Sequence, residues 1–139
     1  MPQTVLLSIK PEFAEKILDG LKRFEFRRTL FRANDVTKAI IYASRPVCAL
    51  IGEFDIEEVI SLPMDDLWLR TRREAGISRR FFYSYFRGKQ ECHAIRISNP
   101  NRYKEPMLLC DTLGMARPPQ SFAYIRTNDG ILERTGTNG

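Results

Sequence analysis

The chain has little of what metal sites and disulfide frameworks require. It contains three cysteines and a single histidine. Cys48, Cys92 and Cys110 are odd in number, widely spaced and without a CxxC pair, unlike a disulfide framework or a zinc site. Cys92 and His93 are neighbours in a predicted strand, where adjacent side chains point in opposite directions. We therefore expect no metal and no cofactor, and we expect the cysteines to be structural.

Long apolar runs are also missing. No run approaches the ~20 residues needed to cross a bilayer, and no basic stretch followed by an apolar one opens the sequence, so we expect no signal peptide. Hydrophobic residues make up 43% and charged residues 28% of the 139, an ordinary balance for a globular domain with its own core. We expect a cytoplasmic protein with no membrane partner, and the sequence leaves monomer and homodimer open.

Charge is distributed unevenly along the chain, whose net charge is +5. Residues 1–50 carry +4, residues 51–75 carry −4, and residues 76–139 carry +5. Glu53, Asp55 and Glu57 share one face of a predicted strand, which we expect to face solvent. Two basic segments around an acidic one predict a basic face in the folded protein, and such a face favours nucleic-acid phosphates.

The hydrophobic pattern predicts about six strands and three helices that do not alternate strictly, which indicates an α+β fold with a small mixed or antiparallel barrel. The predicted strands are Val5–Ile9, Arg23–Arg28, Lys38–Ser44, Cys48–Ile60, Glu91–Ser98 and Phe122–Ile125, with a short one at Met107–Leu109. The predicted helices are Glu12–Asp19, Met64–Arg73 and one capped by Ser78 that runs to Phe86. We expect a turn at Asn99–Asn101, one domain over residues 1–126 and a flexible tail over residues 127–139.

One run of nine residues, from Gly20 to Arg28, is the most informative part of the sequence. It follows a predicted amphipathic helix, with Gly20 at the position of a helix C-cap. In a strand, Phe24 and Phe26 point to one face, while Glu25 lies with its neighbouring arginines on the other. If the charged face meets solvent, it is a polar surface. If it lines a cleft, it forms an anion or nucleic-acid site with a carboxylate at its centre.

The order of residues in this run resembles the signature of the ASCH domain family, part of the PUA-like superfamily. That signature, Gly-x-Lys-x-x-Glu-x-Arg after a short helix, is met by Gly20, Lys22, Glu25 and Arg27. Further blocks are similar to single-domain members from prokaryotes and mobile elements, so the resemblance extends from about Val5 to Ile125. These blocks are Leu7–Pro11, Ile41–Val47, Ile51–Phe54, Pro100–Tyr103 and Pro118–Tyr124.

The resemblance implies a PUA-like β-barrel of five to six strands with flanking helices and a cleft beside the signature. It also implies a role connected with RNA, because PUA-like domains commonly bind RNA. Some small ASCH proteins are hydrolases: one group removes the acetyl group from N4-acetylcytidine, and another has ribonuclease activity. In the deacetylase group a lysine matching Lys22 is catalytic, a threonine stands where this chain has Glu25, and a glutamate falls in the region of Glu74. A carboxylate cannot replace that hydroxyl without changing the mechanism.

Three functions follow as hypotheses. The first is an ASCH module that binds nucleic acid, RNA in preference to DNA, with a base or nucleotide in the cleft. The second is a small hydrolase acting on RNA or on a modified nucleoside, in which Lys22 is a polarising cation and Glu25 or Glu74 is the acid or base. The third is a regulatory domain that senses a free nucleotide without chemistry.

The candidate binding residues share a basic or polar side chain near the signature or in a basic cluster, apart from the C-cap glycine. They are Lys10, Gly20, Lys22, Glu25, Arg27, Tyr42, Ser44, Arg79, Arg80 and Arg102. Arg27 is our choice for phosphate, since its fork suits bidentate contacts, whereas we expect Arg28 to be a solvated surface charge. Alternatives stay open: Lys22 and Glu25 can form a surface pair worth under ~1 kcal/mol, Tyr42 can belong to the core, and arginine clusters often cover a solvated helix face.

Overall fold

The computed structural model describes residues 2–128 and 131–134, with side chains described as far as Ile125. The strands in this part of the chain are β1 (Gln3–Ile9), β2 (Phe24–Arg27), β3 (Val36–Ala43), β4 (Ala49–Leu62), β5 (Cys92–Met107), β6 (Phe122–Asn128) and β7 (Ile131–Arg134). The helices are α1 (Pro11–Leu18), α2 (Met64–Thr71, continued by a 3-10 turn over Arg72–Glu74), α3 (Arg79–Tyr85) and α4 (Leu109–Leu113). None of the helices in the described residues is long and apolar enough to span a membrane.

The strands form one mixed sheet in the order β2-β5-β4-β3-β1-β6-β7. Strands β1 and β3 are parallel, and the other pairs are antiparallel. The α+β class, the mixed sheet and the flanking helices are confirmed, whereas the described sheet does not close into the expected barrel of five to six strands. Closure requires the first and last strands to pair with a fixed stagger, and here the four-residue strands β2 and β7 lie at opposite edges of the described sheet.

The domain boundary at residue 126 stays a prediction, although described strands continue beyond this position. Strand β6 continues to Asn128, and Ile131–Arg134 pairs with it as an antiparallel strand. Residues 129, 130 and 135–139 of the predicted tail lie outside the described residues. The flexible tail therefore stays a prediction for these positions only, because residues 131–134 supply the seventh strand.

Two local predictions of secondary structure are wrong. The predicted turn at Asn99–Asn101 lies inside the sixteen-residue strand β5, where Asn99 takes a φ of 50° and the β4–β5 register shifts along the pair. An irregularity of this kind lets a strand accommodate turn residues without ending. The chain after Met107 does not continue as a strand, since α4 begins at Leu109.

Local signals explain the ends of the helices beside the site. Pro11 occupies the first turn of α1, where its missing N–H costs nothing. Gly20, with a φ of 79°, follows the C-cap residue Asp19, so the chain reverses in a left-handed conformation that glycine adopts readily. The Ser78 hydroxyl accepts a hydrogen bond from the Phe81 N–H at 3.0 Å and caps α3. Both predicted caps are confirmed.

The edge strand β2 packs its phenylalanine side chains against α3. An aromatic cluster under α2 and α3 contains Phe24, Phe26, Phe82 and Phe86, all buried. Phe26 packs edge-on against Phe82, with ring centroids 5.2 Å apart, an arrangement that adds to the gain from burial. All four residues of β2 are buried, so its charged side chains are enclosed by protein rather than spread on a surface.

Candidate functional site

A cavity of about 290 Å³ opens beside β2, bounded by the end of β1, by α1 and by α3. This volume is near the lower end of small-molecule sites. Its lining contains four basic side chains and one carboxylate, contributed by Lys10, Lys22, Arg27, Arg28 and Glu25. The charged face of the signature strand therefore lines a cleft, which is the second of the two alternatives left open by the sequence.

Lys22 lies deep in this cavity and is only 2% exposed. Its Nζ donates a hydrogen bond to the Ala75 carbonyl oxygen at 2.7 Å and lies 4.7 Å from the centroid of the Phe26 ring. Desolvation by burial lowers the Lys22 pKa to about 8, although the nearby Glu25 carboxylate opposes the shift. The amine is therefore a cation that loses its proton far more readily than an exposed lysine does.

A glycine missed by the sequence analysis determines how closely the 75–77 segment approaches Lys22. A Cβ on Gly76 would lie 2.5 Å from both Cβ and Cγ of Lys22, and Gly76 has a φ of +71°. Any side chain here is strained by the backbone conformation and blocked by Lys22. The sequence signal, Ala75-Gly76-Ile77, predicts a turn but gives no indication that the turn packs on the signature lysine.

Glu25 and Arg27 form a buried ion pair, with Arg27 Nη1 at 3.2 Å from Glu25 Oε2. Their residues are 6% and 8% exposed. Arg27 Nη2 also donates to the Ser121 carbonyl oxygen at 2.8 Å and to its hydroxyl at 2.9 Å, while Nη1 reaches the Ser8 carbonyl oxygen at 3.5 Å. Arg27 thus connects β2 to the end of β1 and to the segment before β6, and most of its donors are used within the protein.

One wall of the cavity is aromatic. Phe13 meets Phe81 edge-on at 5.2 Å, and Phe81 stacks on Tyr85 with 6.2 Å between centroids and 12° between planes. Tyr85 donates its hydroxyl proton to the Phe26 carbonyl oxygen at 3.1 Å, and burial raises the Tyr85 pKa, so the ring is fixed by a protonated hydroxyl. Lys10 Nζ lies 5.7 Å from the Phe81 centroid. The wall offers π surface next to positive charge.

The structure brings four of the predicted residues together in the cavity lining: Lys10, Lys22, Glu25 and Arg27. The other predicted residues do not line it, and they are Gly20, Tyr42, Ser44, Glu74, Arg79, Arg80 and Arg102. Tyr42 is 5% exposed and packs in a second core cluster, and burial raises its pKa. The Ser44 hydroxyl donates to the Ile9 carbonyl oxygen at 3.4 Å. Neither side chain is placed to orient a substrate in this cavity.

Glu74 is exposed and directed away from the cavity, where its carboxylate lies 3.8 Å from Arg23 Nε. The next residue, Ala75, reaches Lys22 instead, through its backbone carbonyl. Arg102 forms exposed ion pairs with Glu15 at 2.8 Å and Asp19 at 3.0 Å. These pairs join β5 to α1 and its C-cap residue, so they give Arg102 a structural role.

Arg28 lines the cavity, so the expectation of a solvated surface charge is wrong. Its Nη1 donates to the carbonyl oxygens of Tyr85 at 2.6 Å and Arg87 at 3.0 Å, near the end of α3, where cations are favoured. The strand ends at Arg27, so strand alternation does not determine the direction of the next side chain. Within the described residues, no group of three or more His, Cys, Asp or Glu side chains is arranged to hold a metal ion.

Comparison with known proteins gives matches over most of the chain. The sequence model of the ASCH domain matches residues 7–107. An "ASCH domain-containing ribonuclease" from Zymomonas mobilis is 32% identical over 126 residues, which are 89% of this chain and 85% of the relative. A large ribosomal subunit protein uL22 from Ureaplasma parvum is 25% identical over 124 residues. That match covers 89% of this chain but 40% of the relative, so the chain spans about two fifths of the length of this relative.

The solved structures include a similar fold over nearly the same extent. The crystal structure of ASCH from Zymomonas mobilis superposes with a TM-score of 0.79 at 31% identity. The match covers 88% of this chain and 87% of that one. The mixed sheet and its flanking helices are therefore shared with an experimentally determined structure.

Proposed function

The chain belongs to the ASCH domain family, and we propose that this member binds single-stranded RNA, with one nucleotide in the cavity beside β2. The observation that carries the proposal is the cavity lining, where four basic side chains and aromatic rings surround about 290 Å³. Positive charge that contacts the phosphate backbone, together with rings on which bases stack, is the usual design of single-strand binding sites. The ribonuclease name of the Zymomonas relative supports RNA as the ligand.

The exposed and the aromatic parts of the cavity suit the phosphate and the base of a nucleotide, respectively. Lys10 is an exposed residue of the lining, where a phosphate keeps part of its hydration, and Arg28 supplies a second, half-buried cation. The stacked pair Phe81 and Tyr85 offers a flat surface for an unstacked base. A base in a duplex cannot reach such a surface without leaving its stack, which favours single strands over helices.

A second function, RNA cleavage, is favoured by the Lys22 amine. With its pKa near 8, a useful fraction of Lys22 is neutral close to physiological pH and can act as a general base. In this step neutral Lys22 takes the proton from a ribose 2′-hydroxyl, and the 2′-oxygen forms a bond to phosphorus. The bond from phosphorus to the 5′-oxygen breaks, and that oxygen takes a proton from solvent. The products are a 2′,3′-cyclic phosphate and a 5′-hydroxyl end.

The other hydrolase hypothesis, removal of an acetyl group from N4-acetylcytidine, gains no support from the geometry. Glu25 is paired with Arg27, and Glu74 is directed towards Arg23 outside the cavity. The positions expected to supply a hydroxyl and an acid next to Lys22 are therefore filled by an ion pair and by a backbone carbonyl. The free nucleoside N4-acetylcytidine therefore serves as the comparison substrate in the test.

The test compares the wild type with Lys22→Met and with a matched control, Lys104→Met, which removes an exposed lysine outside the cavity. Fluorescence anisotropy measures the affinity for a labelled single-stranded RNA and for the same DNA sequence at several salt concentrations. Mass spectrometry of the same mixtures, and of parallel ones with N4-acetylcytidine, detects products. Circular dichroism verifies that each variant is folded.

We expect salt-dependent RNA binding by the wild type and by Lys104→Met, and a loss of at least about tenfold in Lys22→Met. Salt-independent binding, or equal affinity in Lys22→Met, contradicts the binding proposal. Cleavage through the 2′-hydroxyl predicts a cyclic phosphate product that disappears when the ribose is replaced by deoxyribose. Binding without any product leaves the binding function and removes the cleavage function.

A further inference from the structure

Arginines are concentrated in the segment that connects α2 to α3. Residues 70–80 contain five arginines and one acid, Glu74. Arg72, Arg73, Arg79 and Arg80 are all exposed, and we call these four residues the arginine band. Among the described residues no salt bridge involves a member of the band, whereas Arg70 lies 3.9 Å from Glu58 and Glu74 is paired with Arg23.

Charges on the sheet are distributed differently. The acids of β4 are near cations: Lys38 contacts Glu53 and Asp55 at 2.7 and 3.2 Å, and Arg96 lies 3.6 and 3.2 Å from Glu57 and Glu58. The four acids of β4 are therefore paired with two cations from the neighbouring strands, Lys38 and Arg96. The four cations of the band have no salt-bridge partner among the described residues, and the carboxylates of Glu74, in the same turn, and Asp65, bound to Tyr83, offset them only in part, so the field outside this part of the molecule is positive.

The band is continuous with the cavity. The 3-10 turn Arg72–Glu74 leads directly into Ala75, whose carbonyl oxygen accepts the hydrogen bond from Lys22. Two residues later Ile77 lines the cavity, and Phe81, next to Arg80, forms part of its aromatic wall. A strand of RNA that leaves the cavity on this side meets the band at once.

A second ring lies within the band. The Arg79 guanidinium lies 5.4 Å from the centroid of the Tyr83 ring, and Tyr83 donates its hydroxyl proton to Asp65 Oδ1 at 2.6 Å. The hydrogen bond to Asp65 raises the Tyr83 pKa. The half-buried ring is thus fixed at its hydroxyl and accompanied by a cation, a suitable platform for a base outside the cavity.

We propose that the arginine band is a second contact surface for the same RNA, which binds the phosphates that flank the cavity nucleotide and stacks a neighbouring base on Tyr83. This inference rests on the proposed function, since it extends the RNA site rather than adding another ligand. Its consequence is a dependence on length: an RNA long enough to reach the band binds more tightly than a trinucleotide confined to the cavity.

The test uses a labelled trinucleotide and a labelled twelve-nucleotide single strand with four proteins. They are the wild type, Lys22→Met, the triple variant Arg72→Gln/Arg73→Gln/Arg80→Gln, and a charge-matched control, Arg32→Gln/Arg45→Gln/Lys104→Gln. The control positions are exposed and lie outside the cavity lining. We expect the band variant to bind the longer RNA about tenfold more weakly, with a salt slope reduced by about 0.7 for each phosphate that the variant no longer neutralises.

The affinity of the band variant for the trinucleotide should stay at the wild-type value, and the control should lose much less affinity for the longer RNA. Equal weakening in the band variant and the control would show a general charge effect and overturn the inference. Equal binding of both lengths by the wild type would also overturn it while leaving the cavity function intact. If neither RNA binds, or if Lys22→Met binds both as the wild type does, the proposed function itself fails.

Discussion

A charged cluster in the cavity and another on the sheet both combine lysine with carboxylates, but the sheet cluster does not line the cavity beside β2. The cavity cluster consists of Lys22, Glu25 and Arg27, whose residues are 2, 6 and 8% exposed. The sheet cluster consists of Lys38, Glu53 and Asp55, whose side chains are 37, 25 and 41% exposed. Both contain close ion pairs, at 3.2 Å in the cavity and at 2.7 and 3.2 Å on the sheet. The difference between them is access to water.

This difference in access to water shifts the pKa values of Lys22 and Lys38 in opposite directions. Desolvation lowers the Lys22 pKa to about 8, whereas the hydrogen bond to Glu53 is the largest contribution to the raised Lys38 pKa. A cation that is poorly solvated gains more from an incoming phosphate than one already paired in water. Burial, rather than the choice of residues, therefore makes the signature cluster suitable for binding and chemistry.

The largest loss of stability is expected from removing one partner of the buried ion pair between Glu25 and Arg27. Arg27→Met leaves Glu25 buried without its partner and removes the bonds to Ser121. Removal of one member of a buried pair costs about 3–5 kcal/mol of unfolding free energy. Lys38→Met is the matched change in the sheet cluster and should cost no more than about 1 kcal/mol. Urea denaturation measures both, and similar losses of stability would contradict the contrast between the clusters.

The second-largest effect is a dependence of the unfolding free energy on pH, which comes from Lys22. The folded-state pKa of Lys22 is about 8 and its usual value is 10.5, so between these values the unfolded chain binds more protons than the folded one. The Lys22 contribution to the unfolding free energy therefore rises with pH in this window, by up to about 3 kcal/mol. We measure the difference in unfolding free energy between wild type and Lys22→Met from pH 7 to 10.

Relative to Lys22→Met, the wild type should gain stability as the pH rises from 8 to 10. Lys38→Met should show no such rise between pH 7 and 10, because the raised pKa of Lys38 keeps its contribution intact below the ordinary value of 10.5 and the contribution is lost only above that value. A flat difference for Lys22 across this range would show that its amine is solvated, contrary to the geometry.

The third effect isolates the contact between Lys22 and the 75–77 segment. Gly76 and Gly88 both have positive φ, of 71° and 84°, but a Cβ meets Lys22 only at Gly76 and meets nothing within 4 Å at Gly88. Gly88→Ala therefore carries the backbone cost alone, and Gly76→Ala should lose about 1–3 kcal/mol more through overpacking. Thermal or urea unfolding measures the difference. RNA affinity should fall only in Gly76→Ala, and equal behaviour of the two variants would argue against this contact.

The smallest effect is expected at Arg102. Its pairs with Glu15 and Asp19 are exposed, so Arg102→Gln should cost no more than about 1 kcal/mol. Because Arg102 does not line the cavity, RNA affinity should stay within about twofold of the wild-type value at 150 mM salt, a far smaller change than removing several phosphate-binding cations produces. A tenfold weakening would extend the RNA site to the far side of α1.

The features that the sequence predicts correctly are local ones. The Gly20 and Ser78 caps, the α1 helix and the alternation in β2 follow from residue types at fixed spacings, and the structure has them. The resemblance carried by Gly20, Lys22, Glu25 and Arg27 correctly indicates the family. The register of a short edge strand and sheet closure depend on pairing between residues far apart in sequence, which explains why the sequence alone does not indicate that the described sheet stays open.

The composition of the site is equally hard to predict, because it depends on contacts between residues far apart in the sequence. The signature keeps Lys22, Glu25 and Arg27 close together in the sequence, but it cannot show that residue 75 rather than residue 74 contacts the lysine. Tyr42 and Arg102 carry chemistry that fits a binding site, and their distance from the cavity is set by tertiary packing and by ion pairs with α1. Ser121 and Tyr85 were not predicted as site residues, because only the fold brings them to β2.

The central claim, that Lys22 is a desolvated cation in an RNA site, is tested most directly by NMR titration of its side chain in protein with isotopically labelled lysine. Lys22→Met assigns the resonance. The account predicts a pKa near 8 in the free protein and a higher value with a saturating, non-cleavable single strand, because a nearby phosphate favours the ammonium. A pKa near 10.5 that does not change when RNA is added would contradict it.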